Sequence, residues 1–298
     1  MTEDGDSKIF ESSPRPRPVL LLLLDGWGIA PAGEANAISL AKTPNFLRLT
    51  EEYPVALLDS GHKNLNARYL TIGSGQDCPD ENIEPVHTLT KILAAAGLTQ
   101  VKIAETERFA ALTHFFNGHA EEKLSGEDWK IVSSSSKVAK PLLALKRTVQ
   151  EIVQEINSDN VHNFIVAAIP YLDLVAASAD IAVVKKAVED LDKNLRLIAT
   201  AIGAKDGVLV ISAAAGNVER IQNLATDLID TEITDSPVPF IVIGQDFKGQ
   251  TIGLADPLNN DLSSLSSAGT LADLAPTILE LLGLDQPAEM MGKSLLGK

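Results

Sequence analysis

Short apolar runs alternate with amphipathic stretches along most of the chain. Val19–Leu24 is an unbroken apolar run that ends at the turn Asp25-Gly-Trp-Gly28, which is typical of a strand buried on both faces. Similar short runs predict strands at residues 101–104, 164–169, 208–211 and 239–243. The chain therefore contains several candidates for the inner strands of one sheet.

Helical periodicity fills the intervals between these strands. Val149, Ile152, Val153 and Ile156 recur at the spacing of one helix face, and residues 184–198 carry a longer stripe of the same kind. Further helices are predicted after Thr43-Pro44, with the threonine as N-cap, and over residues 86–96 and 274–282. The strand–helix–strand order predicts an α/β fold with a mostly parallel sheet and helices on both faces.

The remaining segments suggest the domain organisation. Residues 1–18 are polar, acidic and then rich in Pro and Arg, which predicts a disordered N-terminal arm, with a docking tail as the alternative. Residues 61–85 and the serines at 133–136 are expected to be irregular. Residues 19–298 are expected to form a single domain in which 76–85 is a connector.

Composition excludes several functional classes. The 298 residues carry 40 acidic and 25 basic side chains, a net charge of −15 that disfavours nucleic-acid binding. The single cysteine, Cys78, excludes a disulfide scaffold and is expected to be an incidental thiol in a polar loop. With no apolar run near ~20 residues and an acidic start, the chain is expected to be cytoplasmic, without membrane insertion.

Candidate chemistry lies where the predicted strands end. Asp25, Asp173 and Ala213-Ala-Ala215 each follow a strand, and the carboxyl ends of parallel strands share one crevice. Two carboxylates could hold Mg²⁺ loosely, whereas a firm catalytic site needs three or more ligands, usually including His. None of the five histidines lies at the end of one of the later predicted strands. Asp25 could equally cap the Gly26–Gly28 turn.

Longer motifs resemble a known family. Leu24-Asp-Gly-Trp-Gly-Ile-Ala-Pro31 and Asn36-Ala-Ile-Ser-Leu-Ala-Lys-Thr-Pro-Asn45 are similar to the start of cofactor-independent phosphoglycerate mutase, of the alkaline phosphatase superfamily. Further similar stretches lie at residues 103–107, 115–118, 126–128, 237–240, 271–283 and 292–295. The resemblance implies an alkaline-phosphatase-like core over most of the chain after Pro18.

The resemblance also implies a missing domain. Enzymes of this family insert a transferase domain, which binds the phosphoglycerate, into a phosphatase domain with two manganese ions and a serine nucleophile. Here Gly75 is followed almost directly by residues 88–93, which resemble the family's return into the phosphatase domain. The inserted domain is therefore expected to be absent, with residues 76–85 as the junction.

Aligned on the family's motifs, the phosphatase site lacks its nucleophile. The stretch Gly-Asn-Ser-Glu-Val-Gly-His-Leu-Asn-Ile-Gly-Ala-Gly aligns without gaps on residues 63–75, so Leu65 stands at the serine position. Arg108 stands at the position of an active-site lysine. A serine needs metal coordination to attack phosphorus at neutral pH, and a leucine offers no oxygen at all.

Most metal-ligand positions are changed as well. Asp25 and Asp173 remain, but the family's other ligand positions carry apolar residues: Ala177, Ala214, Ala215 and Ile233. Such replacements suit a site that holds no cation, because a buried acid or imidazole without a metal is costly. No metal or cofactor is therefore expected, although the family uses two manganese ions.

These substitutions favour a catalytically inactive, mutase-like pseudoenzyme that binds another, unknown protein. Removal of the covering domain is expected to expose an apolar patch at the strand ends. Two alternatives are a residual metal-dependent phosphatase or phosphotransferase that uses Asp25, Asp173 and Arg108, and a sensor that keeps a phosphorylated metabolite near Arg108.

Overall fold

The computed structural model describes residues 18–134, 141–223, 228–229 and 231–297. The predicted N-terminal arm lies outside these residues except for Pro18, which is buried and whose carbonyl accepts a hydrogen bond from Val208 N. The second half of the predicted serine loop lies outside them as well.

The core of the fold is an eight-stranded sheet. In chain order the strands are β1 (Val19–Leu24), β2 (Val55–Asp59), β3 (Gln100–Glu105), β4 (Glu127–Val132), β5 (Phe164–Ile169), β6 (Val208–Ser212), β7 (Gln222–Asn223), β8 (Leu228–Ile229), β9 (Val238–Ile243) and β10 (Gly269–Thr270). The sheet order is β10-β2-β9-β6-β1-β5-β3-β4, while β7 and β8 form a separate pair. Only β9 pairs antiparallel within the large sheet, so the predicted mostly parallel sheet is confirmed.

Helices cover both faces of this sheet, as predicted. They are α1 (Ala37–Leu40), α2 (Pro44–Glu52), α3 (Leu65–Ser74), α4 (Leu89–Ala95), α5 (Pro141–Asn157), α6 (Tyr171–Ala176), α7 (Ile181–Gly203) and α8 (Leu274–Leu281). One apolar layer joins the sheet to α1, α2, α5, α6 and α7, and the other joins it to α3, α4 and α8. No helix among the described residues is long and apolar enough to cross a bilayer.

Strand β1 shows how the sequence produces this sandwich. Leu20, Leu22 and Leu24 pack into one layer, while Val19, Leu21 and Leu23 pack into the other. This alternation follows from the two-residue period of a strand. A strand with apolar residues on both faces lies between two layers of helices. Within the sheet, β1 pairs with β5 on one side and with β6 on the other, so it is an inner strand.

Several predicted boundaries are wrong, for physical reasons. Residues 61–85 are not irregular throughout, because α3 forms there. Its residues from Ala67 to Ser74 are all buried, including the polar Arg68, Thr71 and Ser74, so burial in this helix does not follow an apolar stripe. Helix α4 begins at Leu89, where the Thr88 side chain caps Lys91 N, and α5 begins earlier, at Pro141. Strands β2 and β4 were not predicted.

The start of α2 shows tertiary structure replacing a local signal. Pro44 is its first residue, but the Thr43 side chain makes no capping bond. Instead, the buried Asp192 of α7 accepts hydrogen bonds from Asn45 N at 3.3 Å and Phe46 N at 2.7 Å. A carboxylate from another helix therefore caps this N-terminus, where negative charge is favourable.

An ion pair outside the sheet core predicts a pH-dependent contribution to stability. His162 Nδ1 lies 2.7 Å from Glu155 Oε1, and this hydrogen bond raises the pKa of His162. Burial raises the pKa of Glu155, but its bonds to His162 and Lys130 outweigh burial and hold that pKa at about 2. The imidazolium therefore stabilises the fold fully below the ordinary His pKa of about 6.5, and the effect is lost as pH rises through the elevated folded value.

We expect His162→Ala to lower the free energy of unfolding more at pH 5.5 than at pH 9, measured by urea denaturation. His87 provides a matched control, because its Glu289 partner is largely exposed and such a pair is screened by solvent. Equal losses for His162→Ala at the two pH values would contradict the assignment.

Candidate functional site

The candidate site lies at the carboxyl ends of four neighbouring parallel strands. Asp25 directly follows β1, and Ala214 lies just beyond β6. Asp173 is in the first turn of α6, directly after β5, and Arg108 ends a short turn after β3. Because β6, β1, β5 and β3 are adjacent in the sheet, their ends bring these residues together, as the strand-end argument predicts.

Asp25 is the buried centre of the site. It is fully inaccessible to solvent, and its Oδ2 accepts hydrogen bonds from Arg108 Nε at 2.6 Å and Tyr69 Oη at 2.7 Å. Its Oδ1 accepts from the Ala214 amide at 3.2 Å. The burial of this carboxylate is therefore compensated by three donors, one from α3 and two from the segments that follow β3 and β6.

Arg108 joins the two carboxylates. Its Nη2 lies 2.5 Å from Asp173 Oδ2, so one guanidinium group donates to Asp25 and Asp173 at once. Burial lowers the pKa of Arg108, but the charges of Asp25 and Asp173 outweigh burial and raise that pKa above its ordinary value. The guanidinium is thus a permanent cation between the two remaining carboxylates.

Burial also raises the pKa values of Asp173 and Tyr69. Loss of solvation raises the pKa of Asp173 to about 7, although the Arg108 charge opposes the shift. A hydrogen bond with the Asn217 side chain lowers the pKa of Asp173 as well, but burial outweighs it. Burial, reinforced by the negative charge of Asp25, raises the pKa of Tyr69 well above its ordinary value, so its hydroxyl is a donor rather than an anion.

Gly26 permits this close packing. It has a φ of +95°, and a Cβ there would lie 2.8 Å from Leu172 Cβ and 2.9 Å from Asp173 Oδ1. Only glycine fits both the dihedral angle and the space.

The turn after Asp25 is held by a residue that sequence analysis missed. Glu219 is buried and accepts hydrogen bonds from Gly28 N at 3.2 Å, Asn217 N at 2.8 Å and the Thr234 hydroxyl. The alternative in which Asp25 caps this turn is therefore wrong, since its oxygens face Tyr69, Arg108 and the Ala214 amide instead. Glu219 lies after a Gly-Asn turn, where no local pattern marks it as a tertiary acceptor.

Arg68 is a second buried cation near the site. Its guanidinium donates to the backbone carbonyls of Gly61, His62, Ala214 and Thr234. Burial lowers its pKa. In the ungapped alignment of residues 63–75, Arg68 and Tyr69 replace the Gly-His pair of the family motif. This replacement is the feature of the sequence that could have identified both residues.

The other positions predicted from the resemblance carry no polar group toward the site. Leu65 begins α3 and packs partly buried against the apolar layer below it. Ala214 and Ala215 are fully buried, Ala177 is exposed at the end of α6, and Ile233 is half-buried. These positions offer no hydroxyl, imidazole or carboxylate in place of the family residues.

The residues present do not fit a pair of manganese ions. Among the described residues, no group of three or more His, Cys, Asp or Glu side chains could hold a metal. Both carboxylates already bind the Arg108 guanidinium, and a divalent ion there would face that fixed positive charge. Two carboxylates with a competing cation are a poor ligand set for Mn²⁺ or Zn²⁺.

Cys78 lies in the loop that follows α3, and its thiol is buried there. Its Sγ lies 3.7 Å from Ser74 Oγ. Burial raises its pKa, so the thiolate is disfavoured. It therefore contributes no ligand or nucleophile to the site.

Comparison with solved structures places this fold in the alkaline-phosphatase-like class. The chain is similar to Leishmania mexicana phosphoglycerate mutase, with a TM-score of 0.74 at 13% identity over 95% of this chain and 98% of that one. It is also similar to alkaline phosphatase from the Antarctic bacterium TAB5, with a TM-score of 0.61 at 12% identity over 92% and 100% of the two chains.

Sequence comparison defines the family. Residues 17–286 match the Metalloenzyme superfamily, and the chain belongs to it. It is 34% identical over 229 residues to the 2,3-bisphosphoglycerate-independent phosphoglycerate mutase of Clostridium perfringens, covering 74% of this chain and 42% of that one. It is 32% identical over 251 residues to the enzyme of Moorella thermoacetica, covering 83% and 45%. The chain thus spans less than half the length of these relatives.

Removal of the Arg108 guanidinium is expected to destabilise the protein strongly. In Arg108→Met, Asp25 stays buried without its charged partner, and breaking such a pair costs about 3–5 kcal/mol. Arg108→Lys keeps the charge but not the planar fork that reaches both carboxylates, so we expect a smaller loss. Urea denaturation at pH 7 measures both.

The double variant Asp25→Asn/Arg108→Met tests whether the loss comes from the unpaired charge. We expect it to lose less stability than the two single changes added together, since both partners of the pair are removed. A loss below about 1 kcal/mol for Arg108→Met would place the pair among ordinary surface ion pairs and contradict the assignment.

Proposed function

We propose that this chain is a catalytically inactive, phosphoglycerate-mutase-like domain that acts by binding another protein. The observation that carries the proposal is the Arg108 guanidinium, bonded to both Asp25 and Asp173. In a metal-dependent phosphatase the same carboxylates would need to be free to bind a metal. Here their charge is already compensated by the protein itself.

The nucleophile position supports the same conclusion. Leu65 has no oxygen. The Tyr69 hydroxyl, which lies beside Asp25, donates to the Asp25 carboxylate, and the raised pKa of Tyr69 keeps this hydroxyl protonated. Loss of a nucleophile together with its activating ions leaves no route for covalent phosphoryl transfer.

The two alternatives fit this arrangement less well. A residual phosphatase would need a metal to displace the Arg108 guanidinium from two carboxylates. A phosphorylated ligand near Arg108 would face the negative charge of Asp25, and Asp25 and Asp173 already accept hydrogen bonds from two of the Arg108 nitrogens. Like charges at such short range oppose binding.

An apolar groove beside the site supports a binding role. It has a volume of about 440 Å³ and lies between the start of α5, α6 and the first turns of α7, lined by Leu142, Leu174, Val175 and Val183 among others. Helix α6 also carries Asp173 and Ala177, so the groove adjoins the ends of the strands, where an exposed apolar patch is expected. We assign it to an apolar segment of a partner protein.

Turnover and metal content test the inactive state. We expect full-length protein, purified and incubated with Mn²⁺, to show no phosphatase turnover on p-nitrophenyl phosphate and no mutase turnover on 3-phosphoglycerate. Leu65→Ser should remain inactive, because a hydroxyl without metal ligands is not activated. Bound manganese or turnover that disappears in Asp25→Ala would overturn the inactive state.

The groove is tested with two positions on the same helix. Val183 lines the groove and is 46% exposed, while Leu197 does not line it and is 49% exposed. We expect a partner that co-purifies with the wild type, once identified and purified, to bind Leu197→Glu normally and Val183→Glu at least tenfold more weakly. Equal binding by both variants would exclude the groove as the interface.

A further inference from the structure

His114 and His119, which are five positions apart in the sequence, meet in the fold. One turn of π-helix, Ala111–Phe115, is followed by His119 in the left-handed conformation at φ +64°. The His119 amide bonds the His114 carbonyl at 2.9 Å, which turns the two side chains toward each other. As a result, His114 Nε2 and His119 Nδ1 lie 3.4 Å apart.

In each ring, the nitrogen that faces away from the other ring (the outer nitrogen) determines whether the nitrogen that faces the other ring (the inner nitrogen) carries a hydrogen. His119 Nε2 lies 2.9 Å from the Ile83 carbonyl, and His114 Nδ1 lies 3.3 Å from the Ala120 carbonyl. A carbonyl oxygen only accepts, so each outer nitrogen carries the hydrogen. A neutral imidazole has one N–H, and therefore both inner nitrogens present lone pairs to each other. Two such lone pairs repel unless a proton, which makes one ring an imidazolium, or a metal cation lies between them.

The separation of the inner nitrogens fits a metal ion. Zn–N bonds of about 2.0–2.1 Å in a tetrahedral site place two ligand nitrogens roughly 3.3–3.4 Å apart, and the observed separation is 3.4 Å. Ligating histidines usually donate their second N–H to a carbonyl or carboxylate, as both of these rings do. Imidazole pairs suit Zn²⁺, Ni²⁺ and Cu²⁺ rather than Mg²⁺.

We propose that His114 and His119 form a binding site for one divalent cation of the zinc class. Both rings are partly exposed, so water can complete the coordination. The His119 ring also bonds the carbonyl of Ile83, which lies between α3 and α4, and so joins that segment to the turn that ends at Ala120. The site shares no residue with the Arg108 cluster, so it does not depend on the proposed function.

Calorimetric titration with ZnCl₂ tests the site on the full-length, tag-free protein after removal of metals with a chelator. The informative variant is His119→Gly, because a left-handed φ favours glycine and the fold is expected to be retained. His114→Gln removes the other imidazole while keeping a polar side chain. His87→Ala is the control, as this exposed histidine pairs with Glu289 instead.

The wild type and His87→Ala should bind one Zn²⁺ per chain, and each of the other two variants should bind it roughly tenfold more weakly or worse. Co²⁺ in place of Zn²⁺ should give the visible absorption of a histidine-bound ion only in the first two proteins. An unchanged melting temperature of metal-free His119→Gly would show that the variant is folded and that it has lost only the metal site. Absence of Zn²⁺ binding by the wild type, or equal binding by His119→Gly, would overturn the proposal.

Discussion

The Arg108 guanidinium donates at once to Asp25 and Asp173, the two carboxylates that follow adjacent strands of the sheet. Burying either carboxylate without a partner would be costly, because it would lose its hydration with no compensating charge. A guanidinium suits the position since its planar fork reaches two acceptors and it is charged at every working pH. The strand-end face is therefore organised around a cation that belongs to the protein.

The surroundings of this ion pair are closed in the same way. Tyr69 donates to Asp25, while Glu219 accepts from the amides of the neighbouring turn. Arg68 uses its N–H groups on backbone carbonyls. Each of these groups could serve a ligand in another protein, but here its hydrogen bonds are directed inward. Such a network rigidifies this face of the fold, and the proposed binding role rests on this closed arrangement together with the apolar groove nearby.

The pattern of apolar residues correctly predicted strands that are buried on both faces and helices that carry an apolar stripe on one face. Strands β1 and β5 have the predicted ends, and α7 contains the predicted stripe of Val184 to Ile198. It failed for α3, which is buried on nearly all sides, and for β4, an edge strand in which Glu127, Asp128 and Lys130 interrupt the apolar pattern. The capping of α2 by Asp192 likewise depends on a helix far away in the sequence.

The sequence by itself determined the fold class, the family and the identity of the residues at the strand ends, because apolar runs, glycine turns and extended motifs are local properties. Only the tertiary structure decided what those residues do to each other. It joined Arg108 to both carboxylates, chose Glu219 over Asp25 as the acceptor at the Gly26–Gly28 turn and brought His114 against His119. Charge compensation and lone-pair geometry act over a few ångströms in space, and spacing along the chain does not specify such distances.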